Sequence, residues 1–157
     1  MRRHAQIRTI ARSNQRMALR VLIAEDEALV AMSLHDLLDA DGHEVELAFD
    51  GVAALAAARR LGSALDVLVT DLNMPHLNGE ALIRSLRAER PGLPVVVVTG
   101  SPPAGGVAEL REGGGGHGPL VLLHKPVDYR ALLKAVREVT HTAAQPAAKL
   151  ARHPAGR

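Results

Sequence analysis

The chain has 157 residues, 47% of them hydrophobic, which suits one domain with a full core and is too short for two domains of ordinary size. It contains no cysteine and no tryptophan, and its only aromatic residues are Phe49 and Tyr129. The lack of cysteine excludes disulfide scaffolds, thiolate zinc sites and cysteine nucleophiles. The scarcity of aromatic rings argues against a base-stacking surface for nucleic acid.

The formal net charge of +2 hides an uneven distribution of charge along the chain. Residues 1–20 contain six arginines and residues 141–157 contain three basic residues, with no acidic residue in either segment. Residues 21–140 therefore hold ten basic and 17 acidic residues, a net charge of −7. Because no apolar stretch of about 18 residues is present, we predict a cytoplasmic protein with no membrane segment. The scarcity of aromatic residues leads us to predict no nucleic-acid partner.

The two ends of the chain are predicted to lie outside the folded domain. Residues 1–18 form a basic extension that we expect to be disordered, or absent if translation begins at Met17. Residues 141–157 are rich in alanine, proline and basic residues and predict a disordered basic tail. The folded domain is then expected to span residues 19–140.

Strand-like and helix-like segments alternate through this domain. Short runs of apolar and β-branched residues predict strands, and apolar residues repeating every three or four positions predict helices. In chain order we predict a strand at 19–24, a helix around 30–38, a strand at 45–49, a helix at 52–61, a strand at 66–70, a helix at 79–89, a strand at 95–98, a short helix at 107–112, a strand at 120–123 and a helix at 127–140. The four consecutive glycines at 113–116 are expected to be irregular.

Five strands alternating with five helices predict an α/β fold with a doubly wound, five-stranded parallel sheet that is covered on both faces. In open sheets of this kind, ligands bind beyond the carboxyl ends of the strands. The functional residues are therefore expected directly after the predicted strands.

Five polar residues follow four of these strands, and together they suggest phosphate chemistry. They are Glu25 and Asp26 after the first strand, Asp71 after the third, Thr99 after the fourth and Lys125 after the fifth. Three neighbouring carboxylates repel one another unless a cation compensates them, and Mg²⁺ bound by carboxylate oxygens has this effect. The ammonium of Lys125 and the hydroxyl of Thr99 suit the oxygens of a phosphoryl group.

The central carboxylate, that of Asp71, is predicted to act as a nucleophile toward phosphorus and to form an aspartyl phosphate. The metal and Lys125 would then neutralise charge on the transferring group, which is most of what phosphoryl transfer requires of a protein. A phosphatase whose nucleophilic aspartate ends the first strand within Asp-x-Asp is disfavoured, because residues 25–27 read Glu-Asp-Glu.

The same residues carry a resemblance to the receiver domain of two-component response regulators. The matching segments are LRVLIAEDE at 19–27, DVLVTDLNMPHLNG at 66–79, VVVVTG at 95–100 and HKP at 124–126. The resemblance implies a flavodoxin-like (βα)5 fold with strand order 2-1-3-4-5, and phosphorylation by a histidine kinase or histidine phosphotransfer protein with Mg²⁺ bound. It also implies a cis peptide bond between Lys125 and Pro126.

The resemblance also implies a role for each matching position. Asp71 would be the phosphoacceptor, and Thr99 and Lys125 would sense the phosphoryl group. The implied metal ligands are Glu25, Asp26, Asp71 and the backbone carbonyl of Asn73. Apart from its own phosphotransfer and dephosphorylation, such a protein would not be an enzyme.

Two features depart from the pattern of that family and leave alternatives open. Leu122 stands three residues before the lysine, where the family usually has tyrosine or phenylalanine, and the glycine run lies in a region that usually binds partners. Because only 17 residues follow the last predicted helix, we expect a single-domain response regulator that signals by contact with a downstream protein, with homodimer formation left open. The alternatives are a phosphate shuttle or sink without conformational output, and a receiver-like scaffold that binds partners without being phosphorylated.

Overall fold

A computed structural model describes residues 17–144, and its centre is a five-stranded parallel sheet. The strands are β1 (Arg20–Ala24), β2 (Glu44–Ala48), β3 (Val67–Thr70), β4 (Val95–Thr99) and β5 (Leu120–His124). Their order across the sheet is β2-β1-β3-β4-β5, and every pair is parallel. This confirms the doubly wound parallel fold that the sequence pattern predicts and the strand order that the resemblance implies.

Within residues 17–144, four helices connect the strands and a fifth follows β5, and together they cover both faces of the sheet. They are α1 (Ala28–Ala40), α2 (Gly51–Leu61), α3 (Gly79–Glu89), α4 (Gly106–Leu110) and α5 (Tyr129–Ala144), and a short 3₁₀ turn (Gly62–Ala64) follows α2. None of the helices in the described part of the chain is long and apolar enough to cross a membrane.

Successive residues of each strand point to opposite faces of the sheet and form two separate cores. Leu22 of β1 and Leu68 of β3 contact the apolar sides of α2 and α3 on one face. Ile23 and Val69, the next residues along these strands, contact the apolar sides of α1 and α5 on the other. The central strands β1, β3 and β4 are buried on both faces and are therefore almost continuously apolar, as such parallel strands typically are, whereas the edge strand β2 alternates glutamate with apolar residues.

Side-chain caps determine where two helices begin beside the carboxyl edge of the sheet. The Asp50 carboxylate accepts a hydrogen bond from the Ala53 N–H at 2.7 Å, and the Asn78 side chain accepts one from the Ala81 N–H at 2.9 Å. Caps of this type satisfy backbone donors that the first helical turn leaves unpaired. They start α2 and α3 directly after the loops that follow β2 and β3.

Several element boundaries differ from the sequence prediction by one or two residues, and two differences have a structural reason. Residues Arg111–Gly115 form a π-helical turn that continues α4, whereas the sequence predicts that the glycine run at 113–116 is irregular. Helix α5 begins two residues later than predicted, because Asp128 precedes its first turn and accepts hydrogen bonds there, and it continues to Ala144. Residues 141–144 are thus helical, while the rest of the predicted tail and residues 1–16 lie outside the described part of the chain.

Candidate functional site

The register of the sheet brings the predicted site residues to one edge. Ala24, the last residue of β1, pairs with Ala48 on one side and with Thr70 on the other, so the loops after these three strands begin at the same level. Thr70 in turn pairs with Val97, so Thr99 lies two residues further along β4.

Three carboxylates lie together at this edge, as the sequence predicts. Glu25, Asp26 and Asp71 each offer an oxygen, and these oxygens lie within 4.8 Å of one another. Glu25 and Asp71 are buried, with 1% and 6% of their surface exposed, whereas Asp26 is exposed to solvent. The cluster is therefore open on one side and enclosed on the other.

Lys125 lies between the two buried carboxylates. Its Nζ atom is 2.7 Å from Oε2 of Glu25 and 2.7 Å from Oδ2 of Asp71. Its side chain is 17% exposed, so the ammonium is largely shielded from water. One ammonium thus compensates two buried carboxylates, and the three acidic groups with Lys125 keep a net negative charge.

The pKa values of the buried ion pairs follow from this geometry. Burial raises the pKa of the Glu25 carboxyl above its ordinary value, and the hydrogen bond and charge of Lys125 offset only part of that effect. Burial also lowers the pKa of the Lys125 ammonium, but its hydrogen bonds and attraction to Asp71 and Glu25 more than compensate, so that pKa is raised. Lys125 is therefore protonated at neutral pH, whereas keeping the buried Glu25 carboxylate ionised costs free energy.

Backbone groups fix the orientation of the Asp71 carboxylate. Its Oδ1 atom accepts hydrogen bonds from the N–H groups of Leu72 at 2.6 Å and Asn73 at 3.3 Å. Oδ2 is the oxygen that contacts Lys125. The two oxygens are thus held by different partners, one by the loop after β3 and the other by the residue after β5.

Gly79 allows the loop after β3 to fold tightly against its own strand. A Cβ atom at this position would collide with the carbonyl oxygen of Asp71 and lie 2.8 Å from Cα of Leu72. The Gly79 N–H also donates a hydrogen bond to the Leu72 carbonyl at 2.9 Å. Gly79, the last residue of the matching segment 66–79, is therefore required to be glycine because two backbone segments approach each other closely there.

Thr99 completes the set from the neighbouring strand. The residue is fully buried, and its hydroxyl oxygen accepts a hydrogen bond from the Ser101 N–H at 3.2 Å. Its carbonyl accepts a hydrogen bond from the N–H of Lys125 at 2.9 Å. The backbone of β4 thus ties Thr99 directly to the lysine that contacts Asp71.

The structure therefore brings Glu25, Asp26, Asp71 and Lys125 into one cluster, with Thr99 beside it on β4. The N–H of Asn73 contacts Asp71, whereas the predicted role of its carbonyl as a metal ligand stays a prediction. The Lys125–Pro126 peptide bond is cis, as the resemblance implies.

Gly51 is a site-supporting residue that the sequence analysis missed. A Cβ atom at this position would collide with the backbone of Leu77, which lies in the loop between β3 and α3. The Asp50-Gly51 pair in the sequence suggests only a turn and a helix start. Gly51 and Leu77 are 26 residues apart in the sequence, so no local sequence pattern indicates that their backbones meet.

The donor set fits a hard divalent cation. It consists of carboxylate oxygens, the ligand type that Mg²⁺ prefers, and it carries more negative charge than Lys125 neutralises. Asp26 is exposed beside the two buried acids, which leaves room for water molecules in the coordination shell. The acidic cluster is thus a site that could bind a metal ion.

A parallel sheet of this order with acids, a threonine and a lysine at its carboxyl edge defines a receiver-type signalling domain. The family model described as "Response regulator receiver domain" matches residues 21–137, and the chain belongs to this family.

Curated and structurally characterised relatives agree with that assignment. Response regulator MprA of Mycobacterium bovis (strain BCG) is 40% identical over 83 residues, which cover 53% of this chain and 35% of MprA. A receiver domain from Clostridium thermocellum has a TM-score of 0.71 at 25% identity, covering 79% of this chain and 95% of that domain. The chemotaxis protein CheY4 of Vibrio cholerae has a TM-score of 0.67 at 28% identity, covering 78% of this chain and 99% of CheY4. The matched region spans about a third of the length of the curated relatives.

Proposed function

We propose that this protein accepts a phosphoryl group on Asp71 from a phosphohistidine of a histidine kinase or a histidine phosphotransfer protein. The observation that carries the proposal is the position of Asp71 Oδ2, 2.7 Å from Lys125 Nζ and within a cluster of three carboxylates. A carboxylate in this position is held as a nucleophile, and the cations beside it stabilise the charge of a transferring phosphoryl group.

In the transfer step an Asp71 carboxylate oxygen attacks the phosphorus, the new P–O bond forms and the P–N bond to the donor imidazole breaks. The electron pair of that bond returns to the imidazole, which takes up a proton as it leaves. The backbone N–H groups of Leu72 and Asn73 hold one Asp71 oxygen, so the carboxylate is already oriented before the donor arrives.

Lys125 supplies positive charge throughout this step. Its ammonium pairs with both Glu25 and Asp71 and needs only to exchange one of these contacts for a phosphoryl oxygen. Glu25, Asp26, Asp71 and the carbonyl of Asn73 would hold Mg²⁺. When bound, Mg²⁺ neutralises the acidic cluster and withdraws charge from the phosphoryl oxygens.

The Thr99 hydroxyl is the group beside the site that is best placed to sense the product. It makes one hydrogen bond, as acceptor from the Ser101 N–H, and is free to donate to a phosphoryl oxygen. Signalling by contact with a downstream protein, from a single receiver domain, is the output that we propose for this chain.

Phosphorylation with a small phosphodonor tests the proposal without knowledge of the kinase. We expect the full chain, incubated with acetyl phosphate and Mg²⁺, to gain the mass of one phosphoryl group, and peptide mapping to locate it on Asp71. Asp71→Asn should remove the gain, and Asp36→Asn, which changes an exposed acid on α1, should retain it. A mass gain that persists in Asp71→Asn, or its absence in the wild type, would refute the proposal.

The alternative of a phosphate shuttle or sink is motivated by Leu122. This residue on β5 is half-buried and aliphatic, so the inward rotation of an aromatic ring is not available as an output. A sink predicts rapid loss of the phosphoryl group with no change in oligomeric state or partner affinity. Size-exclusion chromatography before and after phosphorylation, together with the rate of dephosphorylation, distinguishes it from a signalling protein.

A further inference from the structure

The two ends of the described chain meet at the edge of the sheet opposite the acidic cluster. Strand β1 begins there, and α5 runs back along the sheet and ends there. An open groove of about 720 Å³ lies at this edge, and its lining includes both chain ends and four basic side chains: Met17, Ala143, His43, Arg90, Arg137 and His141. The segments 1–16 and 145–157 are therefore attached to the domain beside the same groove.

These two segments carry much of the positive charge of the chain. Residues 1–16 contain five arginines, and residues 145–157 contain one lysine and two arginines, with no acidic residue in either segment. Eight positive charges are thus attached at the edge where the strands begin, while Glu25, Asp26 and Asp71 lie at the edge where the strands end. Positive and negative charge are separated along the direction of the strands.

Helix α5 extends the positive charge onto the folded domain. Lys134, Arg137 and His141 recur at i, i+3 and i+7, so they share one side of the helix, and all three are exposed. The single acid of this helix, Glu138, lies 3.7 Å from Lys134 in an exposed ion pair, which contributes little stability and is easily exchanged for another anion. We call these three residues, the groove and the segments 1–16 and 145–157 the basic edge.

Two acidic residues near the groove are already engaged within the domain. The Asp66 carboxylate accepts a hydrogen bond from the Arg20 N–H at 2.7 Å. The Asp41 carboxylate lies 3.3 Å from Nε2 of His43 and 3.8 Å from the Arg137 guanidinium. These contacts hold both carboxylates against the folded domain, so the charges of the two attached segments are available to an anion from outside.

We propose that the basic edge binds the phosphate backbone of double-stranded nucleic acid without sequence preference. Arginine and lysine side chains that contact phosphates release the counterions condensed on a duplex, and this release favours binding. Such contacts position a protein on a duplex but do not read its sequence. The inference goes beyond the proposed function and does not depend on phosphorylation of Asp71.

The positions of the exposed apolar side chains favour a duplex over a membrane surface. A protein segment that binds to lipid places apolar side chains beside its basic ones. Among the large hydrophobic residues that are exposed in residues 17–144, only Met17 lies at the basic edge. The others follow the ends of β1, β2 and β5 and so lie toward the carboxyl edge: Leu29, Met32, Phe49, Val52 and Tyr129.

The scarcity of aromatic side chains favours a duplex over a single strand. Proteins that bind single strands stack the bases on aromatic rings, and this chain has only Phe49 and Tyr129. The expectation that nucleic acid is not a partner rests on this scarcity, which concerns base stacking and not contacts with phosphates. A duplex, which exposes its phosphates and encloses its bases, is therefore the nucleic acid that the basic edge fits.

Binding of a fluorescent DNA duplex to the full, unphosphorylated chain tests the proposal. Anisotropy titrations with two duplexes of unrelated sequence should give the same Kd. The Kd should rise about a thousandfold between about 50 and 200 mM salt, the dependence expected for about six phosphate contacts. Absence of binding at the lower salt concentration, or a Kd that does not respond to salt, would overturn the proposal.

Two variants locate the contact surface. In the first, every arginine of residues 1–16 is changed to glutamine: Arg2, Arg3, Arg8, Arg12 and Arg16. The slope of log K against log salt should become less steep by up to about 4.5, since each phosphate contact contributes about 0.9. In the second, Lys134→Gln combined with Arg137→Gln should make the slope less steep by about 2.

The matched control carries the same change of charge on the other face of the sheet. Arg84 of α3 and Arg111, which follows α4, belong to elements that pack on the face opposite α5. Arg84→Gln combined with Arg111→Gln should leave the Kd and the slope unchanged. An equal loss in this control would show that net charge alone determines binding, which contradicts a defined surface. Circular dichroism shows whether each variant is folded, and the substitutions in residues 1–16 keep the test decisive if a variant in the domain is not.

Vesicles of phosphatidylcholine and phosphatidylserine distinguish the two kinds of anionic surface. At a salt concentration where the duplex is bound, we expect little of the chain to sediment with the vesicles. Binding to the vesicles as tight as to the duplex would overturn the proposal in favour of a membrane surface. Asp71→Asn should bind the duplex like the wild type, so a failure of phosphorylation and a failure of duplex binding are separate results.

Discussion

The ammonium of Lys125 lies 2.7 Å from Oε2 of Glu25, a carboxylate whose side chain is only 1% exposed. A second carboxylate, that of Asp71, is equally close to the same nitrogen. One cation therefore forms ion pairs with two buried acids, and the free-energy cost of burying these charges is only partly compensated. This arrangement makes the stability of the domain sensitive to pH and to added cations, and these dependences can be measured without a phosphodonor.

Glu25→Gln is expected to stabilise the fold at pH 7 when divalent ions are removed. The pKa of Glu25 is raised by burial, so the folded state binds its proton more tightly than the unfolded state. The proton bound to Glu25 therefore stabilises the fold fully at pH values below the ordinary pKa of a glutamate. This stabilisation is lost as pH rises through the raised pKa of Glu25. Glutamine mimics the protonated form, so its advantage should be larger at pH 7 than at pH 4. Urea unfolding in EDTA at both pH values measures it, and an equal or lower stability of the variant at pH 7 contradicts this account.

Lys125→Met is expected to destabilise the domain at neutral pH by about 3 kcal/mol, because it leaves two buried carboxylates without a cation. The loss should shrink as pH falls and the acids become protonated. Added Mg²⁺ should restore stability in the variant more than in the wild type, since Lys125 is the cation that pairs with the acidic cluster among residues 17–144. Thermal unfolding with and without Mg²⁺ gives the comparison, and Lys134→Met, which changes an exposed lysine on α5, is the control. The same Mg²⁺ response in both variants would show that the ion binds elsewhere.

The sequence is sufficient to predict the fold and most of the candidate site, because both depend on local patterns. Strand ends in a parallel sheet meet at one edge, so a polar residue directly after each apolar run, such as Asp71 or Lys125, can be assigned to that edge. The double pairing of Lys125 could not be predicted, since it depends on side-chain conformations at the ends of three strands. Gly51 was missed for a similar reason, because its partner, Leu77, lies in a distant loop.

The π-helical turn at Arg111–Gly115 could not be predicted for a different reason. Glycines carry no side-chain pattern, and a glycine run is compatible with many backbone conformations. The contact between Arg84 and the Gly113 carbonyl accompanies this one observed conformation. An exposed arginine in a helix has no sequence signature that distinguishes such a contact from a solvated side chain.

Gly79→Ala is expected to destabilise the domain by about 3 kcal/mol or more and to abolish phosphorylation of Asp71. The added methyl group would collide with the carbonyl of Asp71, which is backbone and cannot move aside without displacing the carboxylate. Gly92→Ala is the matched control, because a Cβ atom there would meet nothing within 4 Å and its φ is not in the left-handed region. Urea unfolding and the mass gain with acetyl phosphate report the two effects. If Gly79→Ala unfolds like Gly92→Ala and is phosphorylated normally, the loop is not held as described.

Arg87→Met is expected to destabilise the domain by about 2–4 kcal/mol without changing the chemistry of Asp71. Burial lowers the pKa of the Arg87 guanidinium to about 10, with the charge of Arg111 adding to the effect, so Arg87 is still charged at neutral pH. Methionine fills similar space but leaves the buried Leu93 carbonyl without this donor, at a cost of about 1–3 kcal/mol for an unsatisfied group, and the Pro119 carbonyl loses one hydrogen bond while keeping the one from the Val95 N–H. These carbonyls precede β4 and β5 at the edge of the sheet opposite Asp71, so the rate of phosphorylation by acetyl phosphate should equal that of the wild type at a temperature where both are folded.

Arg59→Ala, which breaks only an exposed ion pair, should cost less than about 1 kcal/mol. A similar loss of stability in both variants, or slower phosphorylation of Arg87→Met, would show that the buried arginine does not act as a separate anchor for the strand entries.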